Sequence, residues 1–151
     1  MFTVLGVPAH PLLVHAVVVL IPLAVLGALA LAIRPRWGRP YGVIVAALAV
    51  AGAISATLAW LAGNQLEMAL QITPEFAPVI ARHGELGQFT MIASWPFAIL
   101  AVITWSVTRR SHGGGARTVA VLSAIAGLIA LALTVITGHT GADAVWGHVT
   151  S

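Results

Sequence analysis

The chain has 151 residues, of which 60% are hydrophobic and only 7% charged; it carries a net charge of +3, with no cysteine and no lysine. Soluble domains carry about 25% charge, so the composition excludes an ordinary soluble fold, and the missing thiols exclude disulfides, thiolate metal sites and haem attached through C-x-x-C-H. Six of the seven arginines sit in two loops, so the basic balance speaks to membrane topology and not to a nucleic-acid partner.

In chain order, "MFTVLGVPAH" lacks the basic segment of a signal peptide, and the first apolar run is expected to be retained. A helix needs about 20 apolar residues to cross the hydrocarbon core. Four segments meet that length: Leu12–Ile33, Tyr41–Ala62, Leu86–Val107 and Thr118–Thr137. Pro11 and Pro40 suit first helical turns, where a missing N–H costs nothing. Gly63-Asn64 reads as a left-handed end to the second helix. Pro22 and Pro96 predict kinks inside their spans. Between the second and third spans, "NQLEMALQI" and "TPEFAPVIAR" space apolar residues three and four apart, which predicts a short interfacial helix. No internal sequence repeat is visible. The fold expected is a single all-α domain over residues 1–151, an up-and-down four-helix membrane bundle.

The loops orient it. "RPRWGRP" and "TRRSHGGGAR" hold the six clustered arginines, which marks them as cytoplasmic. Glu67, Glu75, Glu85 and Asp143 all fall on the opposite side, so both termini are expected outside. Trp37, Tyr41, Trp60 and Trp105 lie near the expected interfaces, as an aromatic belt does. The small residues Ala49, Gly52, Ala53, Ala56, Ala59 and Gly63 read as close-packing positions between helices.

This topology gathers five of the six histidines at the outer end: His10 and His15 on helix one, His83 on helix three, and His139 and His148 after helix four. His112 alone is inside, in a solvated loop. Polar groups near the bilayer are costly and mark function, and neutral imidazole ligates iron, copper and zinc. Helices one and three are diagonal in such a bundle, so His15 and His83 are expected to meet across the core. Gly84 and Gly87 remove bulk nearby. Arg82 either pairs with Glu85, reaches for headgroups, or neutralises an anionic ligand group such as a haem propionate.

The motifs "HPLLVH" and "TGHTGADAVWGH" resemble those of a bacterial family of small four-helix membrane proteins, domain of unknown function 2231. The opening H-P-x-x-V-H pattern is met by His10, Pro11, Val14 and His15. The closing G-G-x-L-V-Y-x-H-G pattern is met at Gly141, Val145 and His148, and departed from at Ala142, Ala144, Trp146 and Val149. Gly87 stands where the third-helix motif has asparagine. The resemblance covers nearly the whole chain and implies a bacterial cytoplasmic-membrane protein with redox or haem association.

Three functions follow. The first is a b-type haem protein carrying electrons, with His15 and His83 as the preferred axial pair, His139 as the competitor, and His10, His148 and Arg82 in support. A quinone or another redox protein would be its partner. The second is a zinc or copper protein using His15, His83 and His139 with Asp143 or Glu85. The third is a structural subunit of a membrane complex whose histidines only pack and anchor. A hydrolase is disfavoured, because no serine has an Asp–His partner and no lysine completes a phosphate loop.

Overall fold

Apolar stretches of spanning length must satisfy every backbone polar group internally, and helix is the local solution. The computed structural model describes residues 2–110 and 113–146, and in it four helices run nearly the whole chain. They are α1 (Ala9–Ile33), α2 (Gly38–Ala69), α3 (Ala77–Arg110) and α4 (Gly114–Trp146). All four are long and apolar enough to cross a membrane. A single 3-10 turn, Pro35–Trp37, joins α1 to α2. His112 and His148 lie outside the described residues.

Each helix outruns its hydropathic span at the end that carries the histidines. Hydropathy marks only the part that needs lipid, whereas hydrogen bonding continues as long as nothing breaks it. At about 1.5 Å per residue, the three later helices exceed a hydrocarbon core of about 30 Å by several turns. Helices α1 and α3 continue unbroken through Pro22 and Pro96.

Two local expectations fail. No separate interfacial helix forms: Asn64–Ala69 simply continues α2, and the chain turns at Thr73–Phe76 before α3. Gly63 keeps right-handed helical geometry, since the only left-handed residues described are Leu5 and Gly6. The helix ends instead at Leu70, whose backbone is extended, three residues before the Thr73-Pro74 pair that helix disfavours. The N-terminus is not a plain lead-in either. Thr3–Val4 (β1) and Val7–Pro8 (β2) pair antiparallel across a turn whose Leu5 and Gly6 have φ of 51° and 82°. Two positive φ values in a two-residue loop match the twist of the flanking strands. Phe2 N–H donates to Gln65 Oε1 (2.9 Å) and Ala9 N–H to Phe2 O (2.9 Å), so the hairpin is tied to α2 and fixes where α1 begins.

Around the bundle, α1 packs on α2 and α4, and α3 packs on α2 and α4, leaving α1 and α3 diagonal. The seams are close because they are lined by alanine and glycine. A Cβ on Gly127 would come within 2.8 Å of the Phe97 ring, and one on Gly27 would collide with Val45. Large apolar side chains such as Leu26, Ile44, Ile99 and Ile129 point outward. That arrangement suits lipid, where small residues allow backbones to approach and bulky ones face the hydrocarbon.

Candidate functional site

His10 occupies the first turn of α1 and points inward, half-buried. Its Nδ1 lies 2.8 Å from the carbonyl oxygen of Ala59 on α2. A carbonyl only accepts, so Nδ1 carries the proton and Nε2 keeps a free lone pair. The ring rests on Gly63, one turn past Ala59, where a Cβ would lie 2.9 Å from Nδ1. Any larger residue at 63 would displace the imidazole.

His83 does the same from the opposite corner. It sits half-buried on α3, with Nδ1 3.1 Å from the Thr137 carbonyl and 3.3 Å from Thr140 Oγ1 on α4. Thr140 gives its own proton to Thr137 O (2.9 Å), so its oxygen receives from the ring. The ring rests on Gly141, one turn past Thr137, where a Cβ would come within 2.9 Å of Cε1. Thr137 Oγ1 donates in turn to Thr90 Oγ1 (2.8 Å), whose proton is committed to Leu86 O (2.9 Å).

The two rings meet across the diagonal. Their centroids are 6.0 Å apart and their planes stand at 86°.

The partner expected for His83 was His15, and the structure corrects that. His15 is exposed on the outer face of α1, and its Nδ1 lies 2.6 Å from its own helix's Pro11 carbonyl. Five residues of helix turn the side chain through about 140°, so His10 and His15 cannot both face the core. His139 is also exposed, its Nε2 3.7 Å from Asp143 Oδ2. The set His15, His83 and His139 is therefore not assembled, and no group of three or more His, Asp or Glu that could hold a metal ion occurs among the described residues. Arg82 and Glu85 are both exposed and form no ion pair among those residues. Gly87 faces Trp60, whose Cδ1 would lie 3.8 Å from an added Cβ, and not the imidazole pair.

Gly63 packs closely on a neighbouring helix, as its place among the small residues of α2 implied, but sequence reasoning missed the acceptor carbonyls of Ala59 and Thr137 and the notch at Gly141. A signal was present: each glycine stands four residues after the acceptor, a spacing that puts both on one helical face. Gly63 was read as a helix end because glycine serves both purposes.

A family profile described as a predicted membrane protein, DUF2231, matches residues 6–151. The chain belongs to this family. As a DUF2231 protein it has four helices able to span a bilayer, and it is a membrane protein. The two histidines of the DUF2231 opening motif part company in space, His10 to the core and His15 to the periphery. No curated protein and no solved structure matches the chain.

Proposed function

We propose that the protein binds a b-type haem at the outer end of the bundle, which His10 and His83 would hold, and that it carries electrons through it. The juxtaposition of these two imidazoles, with both Nδ1 atoms engaged and both Nε2 atoms free, carries the reading. A porphyrin brings four nitrogens of its own, so two imidazoles complete its iron without cysteine. Zinc takes about four protein ligands, and the pair supplies two. The donor set therefore fits haem better than a bare ion.

When bound, haem iron supplies reversible one-electron chemistry. The protein's part is positioning. The Ala59 and Thr137 carbonyls fix the tautomer and orientation of the two rings, as outer-shell acceptors do at metal sites. Gly63 and Gly141 give the rings their seats. Arg82, exposed and next in sequence to His83, would be the cation to neutralise a propionate.

The inner ends carry Arg34, Arg36, Arg39, Arg109, Arg110 and Arg117, and the outer ends the four acids. The positive-inside rule then puts the termini and the histidine pair on the extracytoplasmic side of a bacterial cytoplasmic membrane. At the start of α1 a mostly apolar cleft of about 420 Å³ opens among Phe2, Thr3, Val4, Ala9, Leu12, Leu13 and Leu58, next in sequence to His10 though not lined by it. It offers a lipid-soluble quinone a way to exchange electrons; a second redox protein would approach from the outer surface.

The test is the visible spectrum of the purified protein after haem is supplied, oxidised and then reduced with dithionite. A sharp Soret band with reduced α and β bands is expected. His10→Ala and His83→Ala should each abolish or alter it, while His15→Ala leaves it unchanged. A preparation that stays colourless would leave a structural subunit, and loss of the spectrum in His15→Ala alone would overturn the assignment of the pair.

A further inference from the structure

Neither the bundle core nor the histidine pair accounts for the side chains of the hairpin ahead of α1. Residues 2–9 carry no charge, and Thr3 has the only side chain among them able to hydrogen-bond. Phe2, Val4, Leu5 and Val7 are each half or more exposed, and Leu5 at the tip is 100% exposed. Exposed apolar patches mark contact with a protein or a membrane.

The backbone at Leu5 adds a second observation. Its φ of 51° lies in the left-handed region, which a bulky residue enters only at a cost. A two-residue loop with two positive φ values ordinarily takes Asn-Gly or Asp-Gly, and either would also be at ease in water. Leucine strains the turn and, in water, would leave its whole side chain wet. The second penalty vanishes where the tip meets an apolar medium.

The surroundings identify that medium as lipid. Phe2 and Val4 share a mostly apolar cleft with Leu12 of α1 and Leu58 of α2. Leu12 and Leu58 are themselves exposed and fall within the hydropathic spans 12–33 and 41–62. The hairpin therefore lies against the flank of α1 and α2, continuous with the lipid-facing exterior, and the Phe2–Gln65 bond ties it there. Among the described residues, none that lines the cleft is charged, whereas protein interfaces carry a polar rim. The depth follows from the backbone. A two-stranded hairpin has open edges, and unpaired backbone groups find no partner in hydrocarbon. Its backbone must stay at headgroup level while side chains reach down, about 5–10 Å into the acyl boundary for interfacial elements.

We infer that the hairpin of residues 3–8 lies in the membrane interface at the histidine end, with Leu5 and Phe2 immersed among acyl chains. Lipid fills the cleft behind it. Immersion anchors the hairpin and, through the Ala9–Phe2 backbone bond, the first turn of α1. This anchoring needs no haem, so it stands or falls apart from the reading above.

The chain has no cysteine, so Leu5→Cys, Glu75→Cys and Ile99→Cys each create a single labelling site. Glu75 is an exposed carboxylate in the turn before α3, and Ile99 is exposed in the middle of that helix. The full-length protein, carrying an environment-sensitive fluorophore, is reconstituted in phosphatidylcholine liposomes. Quenching is read with aqueous iodide and with phospholipids spin-labelled near the headgroup or at mid-chain. The Leu5 label should be several-fold less accessible to iodide than the Glu75 label, and quenched best by the spin label near the headgroup. The Ile99 label should respond best to the mid-chain one. A fluorophore brings apolar surface of its own, so Val7→Cys is also labelled with and without Leu5→Asn. Asparagine tolerates the left-handed conformation, so the turn survives and only the apolar contact is lost. Iodide access at Val7 should then rise several-fold. Equal iodide access at Leu5 and Glu75, a shielded Leu5 label that neither lipid quenches, or no change at Val7 with Leu5→Asn overturns the proposal.

Discussion

The α1–α2 and α3–α4 hairpins solve one problem identically and another differently. Each sets a histidine near the start of its first helix. Each bonds the ring's Nδ1 to a carbonyl of its second helix, Ala59 or Thr137, and seats the ring on a glycine one turn further, Gly63 or Gly141. Below that level the seams diverge. The buried side chains of α1 and α2 are apolar, whereas α3 and α4 carry all six buried polar residues described. The repeated part is therefore a ligand mount, while the rest of each seam is free to specialise. A helix pair tolerates either lining, because intrahelical bonding already satisfies its backbone.

The comparison can be broken or sharpened by substitution, with stability followed as thermal or denaturant unfolding in detergent. The largest effect is expected at Phe97, the biggest fully buried side chain. Phe97→Ala should destabilise by about 3–5 kcal/mol through loss of packing and the cavity left beside Gly127. Ile21→Ala, in the apolar half, should cost somewhat less, about 2–5 kcal/mol. Next comes crowding of the two ring seats. Gly63→Ala and Gly141→Ala should each cost about 1–3 kcal/mol from overpacking and shift any haem spectrum to a similar degree; a change in only one would show that the two mounts are not equivalent. Thr90→Val removes the link to Thr137 and should cost about 0.6 kcal/mol, the average for such bonds in membranes. Ser123→Ala should be the smallest, neutral or slightly stabilising, because no bond is lost and an unpaired buried hydroxyl is removed. A clear loss of stability there would reveal a partner for Ser123 and dissolve the contrast between the seams.

Much of this fold was legible in the residues. Four long apolar runs, with prolines at the starts of two, specified four helices. The legible part ended where a residue had two uses. Gly63 serves as a helix terminator or as a flat seat for a neighbour's ring, and only the neighbour distinguishes them. "MFTVLGVPAH" has no periodicity long enough to mark a hairpin, since two strands of two residues leave almost no pattern. Histidines were expected to gather at the end opposite the clustered arginines, and His10, His15, His83 and His139 do lie at that end. Which of them meet was not legible.

The amino-acid sequence by itself determined what is local or additive: the helices, their length against a bilayer, and the end of the bundle where imidazole accumulates. Tertiary structure alone decided that His10 and not His15 meets His83, and that the carbonyls of Ala59 and Thr137 receive the two rings. The reason is rotational. A helix turns about 100° per residue, so a side chain's direction depends on where the helix begins and how its neighbours are set. Here the start of α1 is fixed by a hairpin held to α2 through Gln65, a contact between residues far apart in the chain.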